Sequence, residues 1–336
     1  MNILAGAPCQ PRARAEQVLV RRARPMMGTL VGVSARGDDP HHLECAIGEV
    51  FGEIARLEAI LSEWRPDSAV SRINLAAGES PVHVPRELIE VIEVAGRVSQ
   101  ATAGAFDATW APLGEIWKVD DPNFRPPTAE AVAAARKLVG YRNVVVDVRK
   151  QTVFLRRRGM RLGLGGIAKA YIAERVADFA VANGVSNVLV DAGGDIVARG
   201  RNGERPWTIG VRSPRSASTL LATIELRDET VATSGDYEHF VETDGRRYHH
   251  LLDPRTGFPA SASRSATVFA SRGALADALA TGLFVLGNRG LDLLAKFHGT
   301  AAMVMDKHGA VHFSRGGTPR FEAGDQVLSR RHSSRV

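Results

Sequence analysis

The fourteen residues from Ala274 to Gly287, ALADALATGLFVLG, form an apolar run that holds one ionisable side chain, Asp277, with Thr281 one helical turn later. Any compact fold built around such a helix must bury a carboxylate, which costs several kcal/mol unless a cation or a hydrogen-bond network receives it. At about 100° per residue, Asp277 and Thr281 fall on one face and Leu275, Leu279 and Leu286 on the opposite one. Two hard oxygens aimed the same way suit Mg²⁺, which binds through one or two carboxylates and fills its remaining positions with water and substrate phosphate. A buried aspartate capping a nearby backbone turn would leave the same trace in the sequence.

A chain of 336 residues can bury a core large enough to hold such a helix. Its hydrophobic share of 44% and charged share of 24% are ordinary globular values, which excludes wholesale disorder and fibrous repeats. Much of the net charge of +6 sits near the ends, in Arg12 to Arg24 and Arg330 to Arg335. Residues 1–24 therefore read as a flexible basic leader, 25–314 as the folded unit and 315–336 as a disordered polar tail. With few aromatic residues and no recognisable nucleic-acid module, nucleic acid is not an expected partner. Cys9 and Cys45 lie in unrelated contexts, so no disulfide framework or cysteine metal site is expected. No run approaches the roughly 20 apolar residues of a membrane span, so no transmembrane segment is expected. The start shows neither a secretory pattern nor a lipobox, and the default expectation is a cytoplasmic chain.

Periodicity then places the elements. MMGTLVGVSA reads as a first strand, HHLECAIGEVFGEIARLEAILS as a long amphipathic helix with Leu43, Ile47, Val50, Ile54, Leu57 and Leu61 inward, and SEWRPDSAVSRIN as a loop. A second helix runs from Pro85 to Gln100, a third opens at Thr128, and NVVVDV with TVFLR forms a hairpin. GLGGIAKAYIAERVADFAVANG passes from a glycine-rich turn into a helix and on to a strand, NVLVDAGGDIVARG. The later strands are too numerous to be linked by helices, which predicts an α+β fold with mixed, largely antiparallel sheets flanked by helices over a doubly wound one.

Three further groups carry chemistry. Gly165 and Gly166 precede a helix, where free amides attract phosphate and where tight backbone packing equally favours glycine. DAGGD sets Asp191 and Asp195 around two glycines at a strand end, a place for a ligand-linked or metal-linked loop. TSGDYEHF and RYHHLLDPRTG form a hairpin around Asp244 and Gly245; His249 and His250 alternate faces, so one reaches the cleft as a general-base candidate, and Arg255 stands ready to clamp a phosphate.

Taken together, MGT at Met27 to Thr29, GAFD at Gly104 to Asp107, GGIAKAY, DAGGD, HHLLDPRTG and ADALATGLFVLG occur in the order found in the FAD:protein FMN transferases, the ApbE family, which the chain resembles from about Pro25 to Phe313. The resemblance implies a T-fold-related architecture with a flavin cleft, and a Mg²⁺-dependent enzyme that moves the FMN half of FAD onto a Thr or Ser hydroxyl of an acceptor protein and releases AMP. It implies Mg²⁺ ligands at Asp277, Thr281 and a backbone oxygen of Gly166, with Ala280 where some relatives carry serine. FAD would meet Met27, Trp64 in place of a frequent tyrosine, Ala105, Phe106, Asp107, Lys169, His250, Leu251 and Arg255. Gly163 replaces a polar residue of some relatives, and Ala170 a common glycine. His250 is the expected base, with Asp277 or a metal-bound hydroxide as substitutes. A Mg²⁺-dependent FAD pyrophosphatase and a non-catalytic flavin carrier are the competing functions. The family's habitual setting lies outside the cytoplasmic membrane, which implies a periplasmic or membrane-associated alternative to the default location.

Overall fold

The computed structural model describes residues 17–243, 245–315 and 321–323. Its first hairpin pairs β1 (Val18–Met26) with β2 (Thr29–Gly37) through a two-residue tip in which Met27 and Gly28 have φ of 54° and 69°. Two successive positive φ values match the right-handed twist of the flanking strands, the geometry of a type I′ turn. MMGT is thus a hairpin tip and not the start of a strand. Val18–Arg24, read from composition as leader, are the body of β1. Arg21, Arg22 and Arg24 are exposed on an edge strand, Arg22 pairing with Glu44 and Arg24 lying over Phe51, and charge there is an ordinary protection against further pairing.

The long helix α1 (Pro40–Leu61) is capped by Asp39, which accepts from the amides of His41 and His42, and it buries all six of the apolar residues expected on its inner face. A short helix, α2 (Ala69–Leu75), capped by Ser68, occupies the segment read as loop, its seven residues giving too few turns for a periodic signal. After β3 (Val82–His83) come α3 (Arg86–Ala101), the single turn α4 (Ala111–Gly114), α5 (Ala129–Arg136) capped by Thr128, and the hairpin of β4 (Val144–Asp147) and β5 (Thr152–Leu155). Next, α6 (Ala168–Ala182) leads to β6 (Asn187–Ala192) and β7 (Ile196–Arg199). The stretch expected as one strand is a second tight hairpin, with DAGGD as its turn.

The remaining elements are β8 (Trp207–Ser213), β9 (Ser216–Leu226), β10 (Glu229–Gly235), the hairpin β11 (Phe240–Thr243) and β12 (Arg246–His249), β13 (Ser263–Ala270), α7 (Gly273–Leu286), β14 (Ala301–Asp306), β15 (Val311–Phe313) and β16 (Glu322–Ala323). Asp244, expected at the tip of the β11–β12 hairpin, lies outside the described residues. The main sheet has the order β1-β2-β6-β7-β10-β13-β14-β15, and every pairing in it is antiparallel. The α+β class stands, and the described sheets are antiparallel throughout.

Helices α1, α6 and α7 cover one face of this sheet, with α3 packed on α7. The small sheet β16-β9-β8 covers part of the other, where Trp207, Ile224 and Leu226 meet Val231, Phe269 and Met303. Strands β13 and β14 are consequently apolar on both faces. Phe321 is buried in this second layer and Glu322–Ala323 pair with β9, so the polar end of the chain contributes to the fold beyond Ser314. Residues 1–16 of the expected leader and 324–336 of the expected tail fall outside the description.

Helix α7 is enclosed on nearly all sides. Together with the 3₁₀ turns that follow it, Gly273–Lys296 has the length and composition of a membrane span, contrary to the expectation that no such run exists, but α7 itself is the core helix of the fold. Its close approach to α6 depends on Gly273, where an added methyl would lie 2.1 Å from the Ala170 carbonyl oxygen. The Gly273 amide donates to buried Glu174 at 2.7 Å, which also pairs with Arg272. Gly273→Ala is expected to destabilise the chain by about 1–3 kcal/mol through overpacking, read as a lower urea midpoint at unchanged slope.

Candidate active site

Asp277 is 3% exposed, and its Oδ2 has no hydrogen-bond partner among the described residues. Burial, followed by the charge of Asp195, raises its carboxyl well above the usual range, against the opposing pull of Lys169 and a backbone hydrogen bond from Ala170. A buried oxygen without a partner is where a cation gains most. One turn on, the Thr281 hydroxyl lies 3.1 Å from the Ser234 hydroxyl of β10. The glycine turn before α6 passes so close to Thr281 that a methyl on Gly166 would come within 2.8 Å of its Oγ1.

The fold therefore brings Gly166 and Thr281 together, with Asp277 on the same helix face. A carboxylate, a hydroxyl and a main-chain carbonyl are a hard-oxygen set that fits Mg²⁺ and leaves positions for water or phosphate. No cluster of three or more His, Cys, Asp or Glu that could hold a metal occurs among the described residues.

Lys169, in the first turn of α6, places its ammonium against Asp195 from the β6–β7 turn. Asp195 is 1% exposed and the lysine side chain 30%. Burial works against the ammonium, but the charges of Asp195 and Asp277 outweigh it and hold the group protonated. Asp191 instead accepts from the Gly194 amide at 2.8 Å and shapes the turn, its carboxyl raised chiefly by burial. Gly193 of that turn, with φ of 68°, abuts Thr29, and the neighbouring Met27 amide donates to Glu58 at 3.1 Å. The DAGGD turn and the MGT tip thus support each other.

The Gly165–Gly166 turn differs from the expected phosphate cradle. The amides of Leu164 and Gly165 donate to the carboxylate of Glu63, a residue that the sequence did not mark. Burial pushes the Glu63 carboxyl up to about 7, opposed by the Leu164 amide, Arg161 and the Gly165 amide. Its neighbour Trp64 leaves its indole 85% exposed, open to stacking on a flat ring.

In the GAFD segment, Ala105 and Phe106 are buried in the main core. Asp107 is engaged by the Thr109 amide and hydroxyl at 2.8 and 2.6 Å and by the Tyr141 amide at 2.8 Å, and burial raises its carboxyl. It braces the loop through these three bonds.

The two histidines divide as strand alternation requires. His249 is buried edge-on against Phe284, donates from Nε2 to the Ala260 carbonyl at 2.9 Å and accepts the Leu251 amide on Nδ1 at 3.2 Å. His250 is half-buried on the other face, and its Nδ1 lies 3.2 Å from the His239 carbonyl. That carbonyl can only accept, so Nδ1 carries the proton and Nε2 keeps its lone pair. Burial first, then neighbouring positive charge including that of Lys169, lowers the imidazole to about 4. Half-buried Leu251 offers its carbonyl to Ala260 at 3.0 Å. Arg255 is committed to Asp253 through two bonds of 2.9 and 2.8 Å, which leaves it less free to clamp a phosphate than the sequence suggested.

Such a site, with desolvated oxygen donors, a charged lysine and a neutral imidazole around one end of an antiparallel sheet, is the equipment of an enzyme that handles an anionic, phosphate-bearing ligand. The ApbE family model matches residues 27–305. An FAD:protein FMN transferase of Treponema pallidum is 35% identical, the match covering 94% of this chain and 91% of that protein; one from Klebsiella pneumoniae is 34% identical over 85% and 91%. Among solved structures, the ApbE protein of Thermotoga maritima superposes with a TM-score of 0.83 at 32% identity, covering 90% of this chain and 99% of that one. The apo flavinyl transferase ApbE of Pseudomonas stutzeri gives 0.80 at 32%, covering 92% and 98%. The chain belongs to the ApbE family.

His250 is expected to remain a neutral, Nδ1-protonated imidazole down to about pH 5, as ¹⁵N-detected NMR of the ring would show. Because its folded value lies below the ordinary 6.5, the unfolded chain binds the proton first, and stability falls as pH drops from 6.5 towards 4. His250→Gln should flatten that part of the stability–pH curve; an unchanged slope would contradict the assignment.

Proposed function

We propose that the chain transfers the FMN half of FAD to a Thr or Ser hydroxyl of an acceptor protein and releases AMP, with Mg²⁺ held by Asp277, Thr281 and the Gly166 carbonyl. The observation that carries this reading is the partnerless Oδ2 of Asp277, buried beside Thr281 on the face that meets the glycine turn, within the electrostatic reach of Lys169. When bound, Mg²⁺ supplies charge neutralisation on the pyrophosphate oxygens.

The protein's own groups supply the rest. The acceptor hydroxyl oxygen attacks the phosphorus on the riboflavin side, the bond from that phosphorus to the bridging oxygen breaks, and AMP departs with the bridging oxygen. His250 Nε2 is the atom left free to take the hydroxyl proton, because the His239 carbonyl occupies Nδ1. Lys169 sets a fixed positive charge against the pyrophosphate, and its pairing with Asp195 limits where that charge can move. Trp64 provides a stacking surface for the flavin ring. A neutral imidazole is the useful form of this base, and the site holds it neutral across the physiological range.

Incubation with FAD, Mg²⁺ and an acceptor domain, followed by intact mass, is expected to show the acceptor gaining one FMN while AMP appears. FMN and AMP with an unmodified acceptor would mark a pyrophosphatase, and intact retained FAD a carrier. Asp277→Asn is expected to lower the transfer rate by about 100-fold or more, on the scale of losing one preorganised electrostatic contact. Mg²⁺ should also raise the melting temperature of the wild type and leave that of Asp277→Asn unmoved; equal responses would overturn the metal assignment.

A further inference from the structure

The turn that presents Gly166 is not held by its own helix. The residue at the start of α6, Ile167, makes no side-chain cap, and the only amides bonded within the turn are those of Ile167 and Ala168, both to the Leu164 carbonyl, among the bonds described. From outside, the turn is held at Gly163, whose amide donates to the Ala108 carbonyl at 2.8 Å and whose carbonyl accepts from Trp110 Nε1 at 3.0 Å, and by the segment after α1. Glu63 takes the Leu164 and Gly165 amides, an arrangement in which a carboxylate stands where an anion would otherwise bind a run of free N–H groups. Two residues before Leu164, the side chain of Asn74 on α2 accepts from the Leu162 amide at 2.7 Å and donates to its carbonyl at 3.0 Å, in the manner of a neighbouring strand. Ser71 closes the loop between them by bonding the Arg65 carbonyl at 2.7 Å.

Gly166 follows at once, and the chain there has no freedom to drift inward, since even a methyl would collide with Thr281. Leu164 is fully buried and Asn74 nearly so, which fixes the approach from the other side. The direction of the Gly166 carbonyl follows from how the two preceding peptide units are oriented: Trp110 holds the Gly163 carbonyl, the Ile167 and Ala168 amides hold the Leu164 carbonyl, and Glu63 alone takes the N–H side of both units. Loss of a group that orients a metal ligand typically costs about 10–100-fold in metal affinity.

We infer that Glu63 is a positioning residue for the divalent cation: by binding the Leu164 and Gly165 amides it aims the Gly166 carbonyl at the site shared with Asp277 and Thr281. The inference rests on the metal reading above. Because Trp64 is the next residue, the same carboxylate anchors the ring platform and the cation turn to one another through a single side chain.

The test is titration of the full chain with Mn²⁺, followed by the free-ion EPR signal, in the absence of FAD. Glu63→Ala is expected to weaken Mn²⁺ binding by about tenfold or more, and Glu63→Gln, which keeps a side-chain oxygen to accept an amide, to recover most of that loss. A merely structural role would lower the melting temperature and leave the affinity of the folded fraction unchanged. If Glu63→Ala does not fold, Glu63→Asp, whose shorter reach should also weaken Mn²⁺, takes its place beside Glu63→Gln. Wild-type binding that Asp277→Asn abolishes but the Glu63 variants leave unaltered overturns this inference alone; wild-type chain that binds no Mn²⁺ overturns the metal reading and this inference with it.

Discussion

The burial of Asp277 is the constraint on which the rest of the structure turns. A carboxylate inside a core helix has to be compensated, and the charge that offsets it is that of Lys169 from α6, while the glycine turn ahead of α6 and Ser234 of β10 meet Thr281 one turn along the same face. Small residues let α7 pack closely enough for this. Gly273 lets α7 cross α6 at the Ala170 carbonyl, and Gly282 lets it lie against Thr102 at the end of α3. Larger side chains at those crossings would push α7 off the sheet and move the carboxylate away from the groups that balance it.

Lys169 is itself paired from a tight reversal of the antiparallel sheet. The DAGGD turn delivers Asp195 and leans on the Met27–Gly28 tip, whose own amide is held by Glu58 on α1. The C-terminal end of the long helix thereby reaches two turns of the site, one through Glu58 and the other through Glu63, just past its last residue. Core packing and site geometry are the same set of contacts seen from two sides.

What the sequence made legible follows from range. Spacing along α7 shows that Asp277 and Thr281 share a face, and strand alternation shows that His249 and His250 part company. Which of the two is buried is decided by Phe284 and Ala260, and no local rule supplies that. The two hairpin tips were hidden because a two-residue reversal barely interrupts an alternating pattern. Strand β1 was hidden because arginines on an edge look like a solvated leader. Glu63 left no signal at all: its partner Leu164 is 101 positions away, and a carboxylate that serves main-chain amides imposes no pattern on the residue it serves.

The proton on His250 is placed by a main-chain carbonyl. Every residue has one, so the side chain at position 239 can change without disturbing which ring nitrogen is free. His239 itself spends its ring on Asp120 and meets the His250 ring edge-on at 5.2 Å. The tautomer is thus written into the path of the backbone, insulated from the substitutions that would retune the surface around it, and a comparison of side chains alone would pass over the group that sets it.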